Sequence, residues 1–256
     1  MRCGSDPVTS APGYRGDFAY AHQVGHSGFV RMATPTVLGY LRAAGVSGAA
    51  HERVVDLGCG TGILAGALLD EGYRVLGVDL SADMLSLARD TAPGADFVQG
   101  SFVDVDLPPC GAVVSVGQCL GYAFDQRVGE TQLLRLFERA WRALRPGGLL
   151  LFDLNAPLTR SGLDDGEPQV HVRDEADWTL VGETVVDKTV LIRNLTLFRR
   201  VGDVYRRTDE RHEVHLYPPD AVLDGLRAAG FTASTFHDYD GSDFPPDLVG
   251  YRAEKP

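Results

Sequence analysis

The run Val54-Val55-Asp56-Leu57-Gly58-Cys59-Gly60-Thr61-Gly62 places three glycines in five positions directly behind a short apolar stretch. Glycines there permit positive φ, and they let the free N–H groups of a following helix start approach a ligand closely. Asp79 stands 23 residues beyond Asp56, at the end of a second apolar run, where a carboxylate can accept hydrogen bonds from both hydroxyls of a ribose. A nucleoside-containing cofactor follows from this pairing. Gly60-x-Gly62-x-x-Ala65 fits a dinucleotide fingerprint, but Asp56 at the strand tip would repel a pyrophosphate, and the first glycine of the match does not follow the strand directly. An acid at that place suits a ligand carrying a cationic amine. A tight turn with packing glycines is the remaining alternative.

The other chemistry-bearing groups are dispersed. In Glu210-Arg211-His212-Glu213-Val214-His215 a two-residue period sends His212 with Glu210 to one face and His215 with Arg211 and Glu213 to the other. If one face covers a pocket, His212 or His215 is a general-base candidate; the alternative is an exposed charged ladder. His22 and His26, four apart, supply too few ligands for a metal, and no metal site is expected. Cys3, Cys59, Cys110 and Cys119 form no C-x-x-C pair, which excludes a disulfide framework or zinc knuckle and points to a reducing, cytoplasmic setting. Cys119 has no evident activating partner and reads as a small packing residue.

These groups must be positioned by alternating elements. Short apolar runs at 54–57, 75–78, 97–98, 112–116 and 149–152 alternate with helical periods after Thr34-Pro35, after Gly62, after Ser81 and over about 130–144. In the last of these, Leu133, Leu134, Phe137, Ala140, Trp141 and Leu144 share a face ahead of Pro146-Gly147-Gly148. The fold class is α/β, a doubly wound, Rossmann-like, mostly parallel seven-stranded sheet. A polar loop is expected over 157–168. Two or three antiparallel strands are expected between Trp178 and Leu216, turning at Gly202-Asp203 and inserted as a lid. The expected division is a tail and cofactor-covering segment (1–34), a cofactor-binding core (35–156), the lid (157–217), and a terminal helix and strands completing the sheet (218–256).

The chain has 256 residues, with 24 Lys and Arg against 35 Asp and Glu, a net charge of −11. Its 44% hydrophobic and 23% charged residues are ordinary globular usage. No apolar run reaches the length of a membrane span, about 18 residues or more. The first dozen residues have no apolar h-region, which argues against a secretory signal. The acidic balance disfavours a nucleic-acid partner and is compatible with a neutral or cationic small molecule.

Asp56-Leu57-Gly58-Cys59-Gly60-Thr61-Gly62, with Gly77-Val78-Asp79-Leu80-Ser81 and Arg145-Pro146-Gly147-Gly148, resembles the motifs of class I S-adenosylmethionine-dependent methyltransferases. The resemblance is strong over about 35–155. It implies S-adenosyl-L-methionine as cofactor, with Asp56, Gly58, Cys59, Gly60 and Gly62 around its amino-acid moiety, Asp79 and Leu80 at the ribose, and Met84 on the adenine. Gly100-Ser101-Phe102 stands where the family often has Gly-Asp, so Ser101 or Asp104 would take over that adenine contact. Gly117, Gln118 and Tyr122 fall where the transferred group lies, and the Asn/Asp-Pro-Pro-aromatic signature for base amines is missing there. The segment Tyr14–His22 resembles the tyrosine-containing segment that closes over the cofactor in small-molecule members, with Tyr14 or Tyr20 facing the sulfonium and His22 beside the substrate. An enzyme methylating an O or N atom of a small molecule is therefore expected, in an oligomeric state the sequence leaves open, a homodimer included. A tRNA or protein methyltransferase and a non-catalytic cofactor-binding module are the alternatives.

Overall fold

A computed structural model describes residues 13–157 and 167–256. The tail expected over 1–13 and the loop over 157–168 therefore lie almost wholly outside the described residues.

The chain opens with α1 (Asp17–Ala21), which continues through a π-helical turn (His22–His26) into α2 (Ser27–Ala43). The alternation then follows: β1 (Arg53–Leu57), α3 (Ile63–Asp70), β2 (Arg74–Asp79), α4 (Ala82–Thr91), β3 (Asp96–Gln99), β4 (Cys110–Ser115), α5 (Glu130–Ala143) and β5 (Leu144–Asn155). Next come β6 (Gln169–Asp174), β7 (Trp178–Asp187), β8 (Val190–Val201) and β9 (Val204–His215). The chain ends with α6 (Pro219–Ala228), β10 (Thr232–Phe236), the short pair β11 (Asp238–Tyr239) and β12 (Ser242–Asp243), and β13 (Leu248–Glu254).

The main sheet is seven-stranded, in the order β10-β13-β5-β4-β1-β2-β3, with β13 antiparallel to both its neighbours. β1 pairs in parallel with both β2 and β4. The chain winds outward from β1 to β3 and then returns across β1 to β4, so the connections leave β1 and β4 toward opposite faces. Such a reversal opens a crevice at the carboxyl ends of the strands. β4 is buried along its whole length, as a strand covered on both faces must be. One core lies between the sheet and α5 and α6, around Leu136, Phe137, Phe152, Leu226 and Tyr251; the other lies under α2 and α3, around Val37, Leu41, Leu68 and Tyr239.

Three local expectations change. The helix read from Thr34-Pro35 begins at Ser27, with Pro35 inside it. Thr34 Oγ1 donates to the Val30 carbonyl at 2.8 Å, so it back-bonds within the helix instead of capping it, and burial of Ala33, Val37, Leu38 and Leu41 holds the helix across the proline. Position 34/35 thus falls within one continuous helix. In α5 Leu136 is buried together with Leu133, Phe137 and Ala140, whereas Leu134 stays 37% exposed and rests on Gly225 of α6. The antiparallel sheet has four strands, β6-β7-β8-β9. The added edge strand β6 is exposed except at the half-buried Arg173, so it shows no apolar alternation that periodicity could detect.

The antiparallel sheet meets the body where Tyr122 bridges Val214 and Tyr217 N donates to the Asn155 carbonyl at 3.0 Å. Its far end packs on the N-terminal segment, with Trp178, Leu180, Leu195 and Leu197 closing over Phe18 and Ala21. Trp178 is 2% exposed and is the largest side chain in that contact. Trp178→Ala should lower the unfolding free energy by about 3–5 kcal/mol in urea titrations, the cost of truncating a buried aromatic.

Candidate active site

A cavity of about 670 Å³ lies over the carboxyl ends of β1, β2 and β4, within the size range of small-molecule sites. Its roof is the inward face of β6–β9 together with the segment from Gly13 to His22.

The floor begins with the loop after β1. Gly58, Gly60 and Gly62 all have positive φ, but for different reasons. A Cβ on Gly58 would stand 2.4 Å from Cys119 Cβ, and one on Gly62 would stand 3.0 Å from Ala88 Cα, so these glycines let neighbouring segments approach. A Cβ on Gly60 would meet nothing within 4 Å, because that residue faces the open cavity. Gly62 is not part of the cavity wall; it is a packing glycine against α4.

Asp79 holds this loop from the end of β2. Its Oδ2 accepts from Gly60 N at 2.9 Å and its Oδ1 from Ser81 N at 2.8 Å. Burial raises its pKa, while these N–H donors oppose the rise. Asp56 is fully buried, outside the cavity wall, and its Oδ2 has no hydrogen-bond partner. Burial first, and the neighbouring Asp79 second, push its pKa up to about 7. Cys59, Leu80, Met84, Gly100 and Phe102 all line the wall. Ser101 does not: its Oγ accepts from Val103 N at 3.2 Å and also bonds Asp125. Asp104 pairs with Arg127 on the surface.

After β4, Gly117 and Gln118 line the cavity, with Gln118 at φ 59°. Their N–H groups both donate to Asp153, a fully buried carboxylate of β5 that also accepts from Tyr239 Oη at 2.6 Å. Asp153 escaped the sequence reading; its signal is a lone acid inside the apolar run Leu149–Leu154.

The roof is organised by another buried acid, Glu210 of β9. It accepts from Tyr14 N at 2.8 Å, from Arg15 N at 2.9 Å, and from His212 Nε2 at 2.7 Å. On the body side, Ser81 Oγ donates to the Tyr14 carbonyl at 2.8 Å and Gly16 N donates to Asp83 Oδ2 at 2.7 Å. Tyr14 is thus strapped between the two sheets. Its ring stands 4.9 Å from that of His212 and 5.0 Å from that of His22, and its hydroxyl lies 3.2 Å from Tyr122 Oη. Burial raises the Tyr14 pKa well above the usual phenol value, so it stays protonated.

The two candidate histidines separate as the two-residue period requires. His212, 1% exposed, lines the cavity, and its Nδ1 has no hydrogen-bond partner. His215 lies on the opposite face beside Tyr217, outside the cavity wall, which removes it as a base candidate. Tyr20 is also outside the wall: its hydroxyl donates to Asp177 at 2.7 Å and the Arg199 guanidinium stacks on its ring at 3.4 Å. The sequence places Tyr14 and Tyr20 six apart, but Tyr14 precedes α1 in a left-handed conformation, so helical spacing does not relate the two rings.

A methyltransferase-domain family model matches residues 54–148. A protein of Geobacillus sp. named as a methyltransferase is 30% identical over 187 residues, covering 71% of this chain and 74% of its own. Among solved structures, an S-adenosylmethionine-dependent methyltransferase from Clostridium acetobutylicum superposes with a TM-score of 0.78 at 17% identity, covering 93% of this chain and 98% of its own. The sugar N-methyltransferase KedS8 from Streptoalloteichus sp. superposes with a TM-score of 0.75 at 20% identity, covering 100% and 98%.

Two measurements check the floor. Gly62→Ala should destabilise the fold by about 1–3 kcal/mol, through its positive φ and the Ala88 backbone contact, more than Gly60→Ala, whose methyl projects into open space. Asp56 binds its proton up to about pH 7 when folded but only up to about 4 when unfolded, so its ionisation penalty grows between those values as pH rises and is constant above them. The stability difference between Asp56→Asn and the parent, from urea titrations without ligand, should therefore shift in favour of the variant from pH 4 to pH 7.

Proposed function

The chain belongs to the class I S-adenosylmethionine-dependent methyltransferases, and from that premise we propose that it methylates an oxygen or nitrogen atom of a small molecule enclosed beneath the antiparallel sheet. The observation that carries this reading is a roofed cavity whose floor is the glycine loop and whose wall includes His212, hydrogen-bonded to the buried Glu210.

The residues of the floor fit the cofactor. Open space at Gly60 and Gly117 leaves room for it beside the backbone. The buried Asp56 carboxyl, with one oxygen unpartnered, stands behind the glycine loop and outside the cavity wall, and when ionised it would favour a bound ammonium group through its charge. Asp79 keeps lone pairs free for ribose hydroxyls, since each carboxylate oxygen accepts more than one hydrogen bond. Met84, Leu80 and Phe102 offer the apolar surface for the adenine, and Tyr14 takes the place beside the sulfonium that the sequence shared between Tyr14 and Tyr20.

When bound, S-adenosylmethionine supplies a methyl carbon already activated on a sulfonium for in-line displacement. The protein's task is to align the acceptor and exclude water, an effect worth about 7–11 kcal/mol in favourable cases. His212 does the proton work. Its Nε2–H donates to the Glu210 carboxylate, which leaves Nδ1 as the lone-pair nitrogen that would take the proton of the acceptor's O–H or N–H. Glu210 orients the ring as the acid of a hydrolase triad orients its histidine. His22 and Tyr122 complete the acceptor wall. The sugar N-methyltransferase that shares this fold, KedS8, supports an acceptor of this size.

His212→Asn should lower kcat by about 10²–10⁴-fold, the usual worth of a positioned base, while calorimetric affinity for S-adenosylhomocysteine stays unchanged. Radiolabelled methyl transfer to a low-molecular-weight cell extract measures the rate. Unchanged kcat in the variant would remove His212 from the mechanism, and label appearing only in RNA or protein would overturn the small-molecule assignment.

A further inference from the structure

The roof carries one charge that this mechanism does not use. Arg193 extends from β8 into the cavity between Leu191 and Leu195, opposite His212 in the β8–β9 register. Its Nη1 donates to Tyr122 Oη at 2.9 Å, and its guanidinium forms no other hydrogen bond and no ion pair among the described residues. The phenols of Tyr122 and Tyr14 stand beside its guanidinium, and no carboxylate lies within ion-pair distance of it among the described residues.

Other arginines of the same sheet differ. Arg199 and Arg206 both bind Asp17, and Arg173 binds Glu175. Arg139, part-buried in the body, has the carbonyls of Phe102 and Val105. The acids nearest the cavity already have partners: Glu210 has two backbone N–H groups and His212, and Asp79 has Gly60 and Ser81 on the floor. The chain's net charge of −11 favours a neutral or cationic acceptor, yet the acceptor end of the cavity carries an arginine with no ion-pair partner among the described residues.

A guanidinium taken out of bulk water without a counter-charge is costly, and its planar fork matches a carboxylate through two parallel hydrogen bonds. We propose that Arg193 anchors a carboxylate of the acceptor, at a position distinct from the atom that is methylated. This rests on the small-molecule reading above. One guanidinium balances one negative charge, which selects a carboxylate over a phosphate dianion. Tyr122, held between Arg193 and Tyr14, sets the orientation of the fork. Methyl transfer leaves the anchored group unchanged, so it holds substrate and product alike and acts on KM more than on kcat.

The test uses the full chain with radiolabelled S-adenosylmethionine and a low-molecular-weight cell extract split on an anion-exchange resin at neutral pH. Label should enter compounds of the retained pool, and phosphatase treatment of that pool should leave its acceptor capacity intact. With that pool as substrate, Arg193→Gln should raise the apparent KM by about 10–100-fold, the worth of a charged hydrogen bond, with a smaller change in kcat. Arg193→Lys should recover part of the loss, and affinity for S-adenosylhomocysteine should be unchanged in both variants, which also verifies their folding. Acceptors found only in the unretained pool would overturn the anchor while leaving the small-molecule reading standing. Loss of acceptor capacity on phosphatase treatment, an unchanged KM in Arg193→Gln, or a parallel loss of S-adenosylhomocysteine affinity would each overturn it too. Label in macromolecules alone would overturn both readings.

Discussion

The closed shape of this molecule depends on where the carboxylate of Glu210 finds its donors. The residue is 7% exposed, on the inward face of β9, and a carboxylate so placed must be compensated locally. It draws two of its donors from the backbone of Tyr14 and Arg15, nearly 200 residues away in the chain, and the third from His212. One buried charge therefore ties the N-terminal segment to the antiparallel sheet, brings the Tyr14 ring over the cavity, and orients the histidine. Ser81 and Asp83 complete the strap from the side of the parallel sheet. Without the strap, Tyr14 would have no fixed relation to the floor of the cavity.

The same device recurs beneath it. Asp79 fixes the loop after β1 by accepting from Gly60 N, and Asp153 fixes the loop after β4 by accepting from Gly117 N and Gln118 N. In each case an acid in the last residues of a strand takes up the backbone donors of a neighbouring loop, a use of charge-assisted hydrogen bonds that rigidifies a segment without regular secondary structure. Asp56 breaks the pattern, since one of its oxygens is left unpartnered. That contrast sets Asp56 apart from the acids that hold the loops.

Much of the body was legible because it is local. Alternating apolar runs, the Ser81 cap that accepts from Met84 N, the Gly202-Asp203 turn and the glycine loop each depend on a few adjacent residues. The misreadings share a cause. Thr34-Pro35 has the chemistry of a helix start, but packing of α2 on the sheet carried the helix through it. Gly62, Ser101, Tyr20 and His215 have the right type for a binding role and are turned elsewhere by contacts with Ala88, Val103, Asp177 and Tyr217. β6 was missed because no residue in it is fully buried, which leaves no periodic signal.

By itself, the sequence determined the fold class, the cofactor chemistry and the division of β9 into two faces, because strand alternation, glycine conformation and the two-residue period are properties of the local chain. Only the tertiary structure decided which face of β9 looks inward, which tyrosine meets the cavity, and that Glu210, Asp153 and Arg193 matter at all. Those outcomes depend on the partners that buried charges find across the fold, and the distance between Tyr14 and Glu210 along the chain carries no trace of the 2.8 Å that separates their atoms in space.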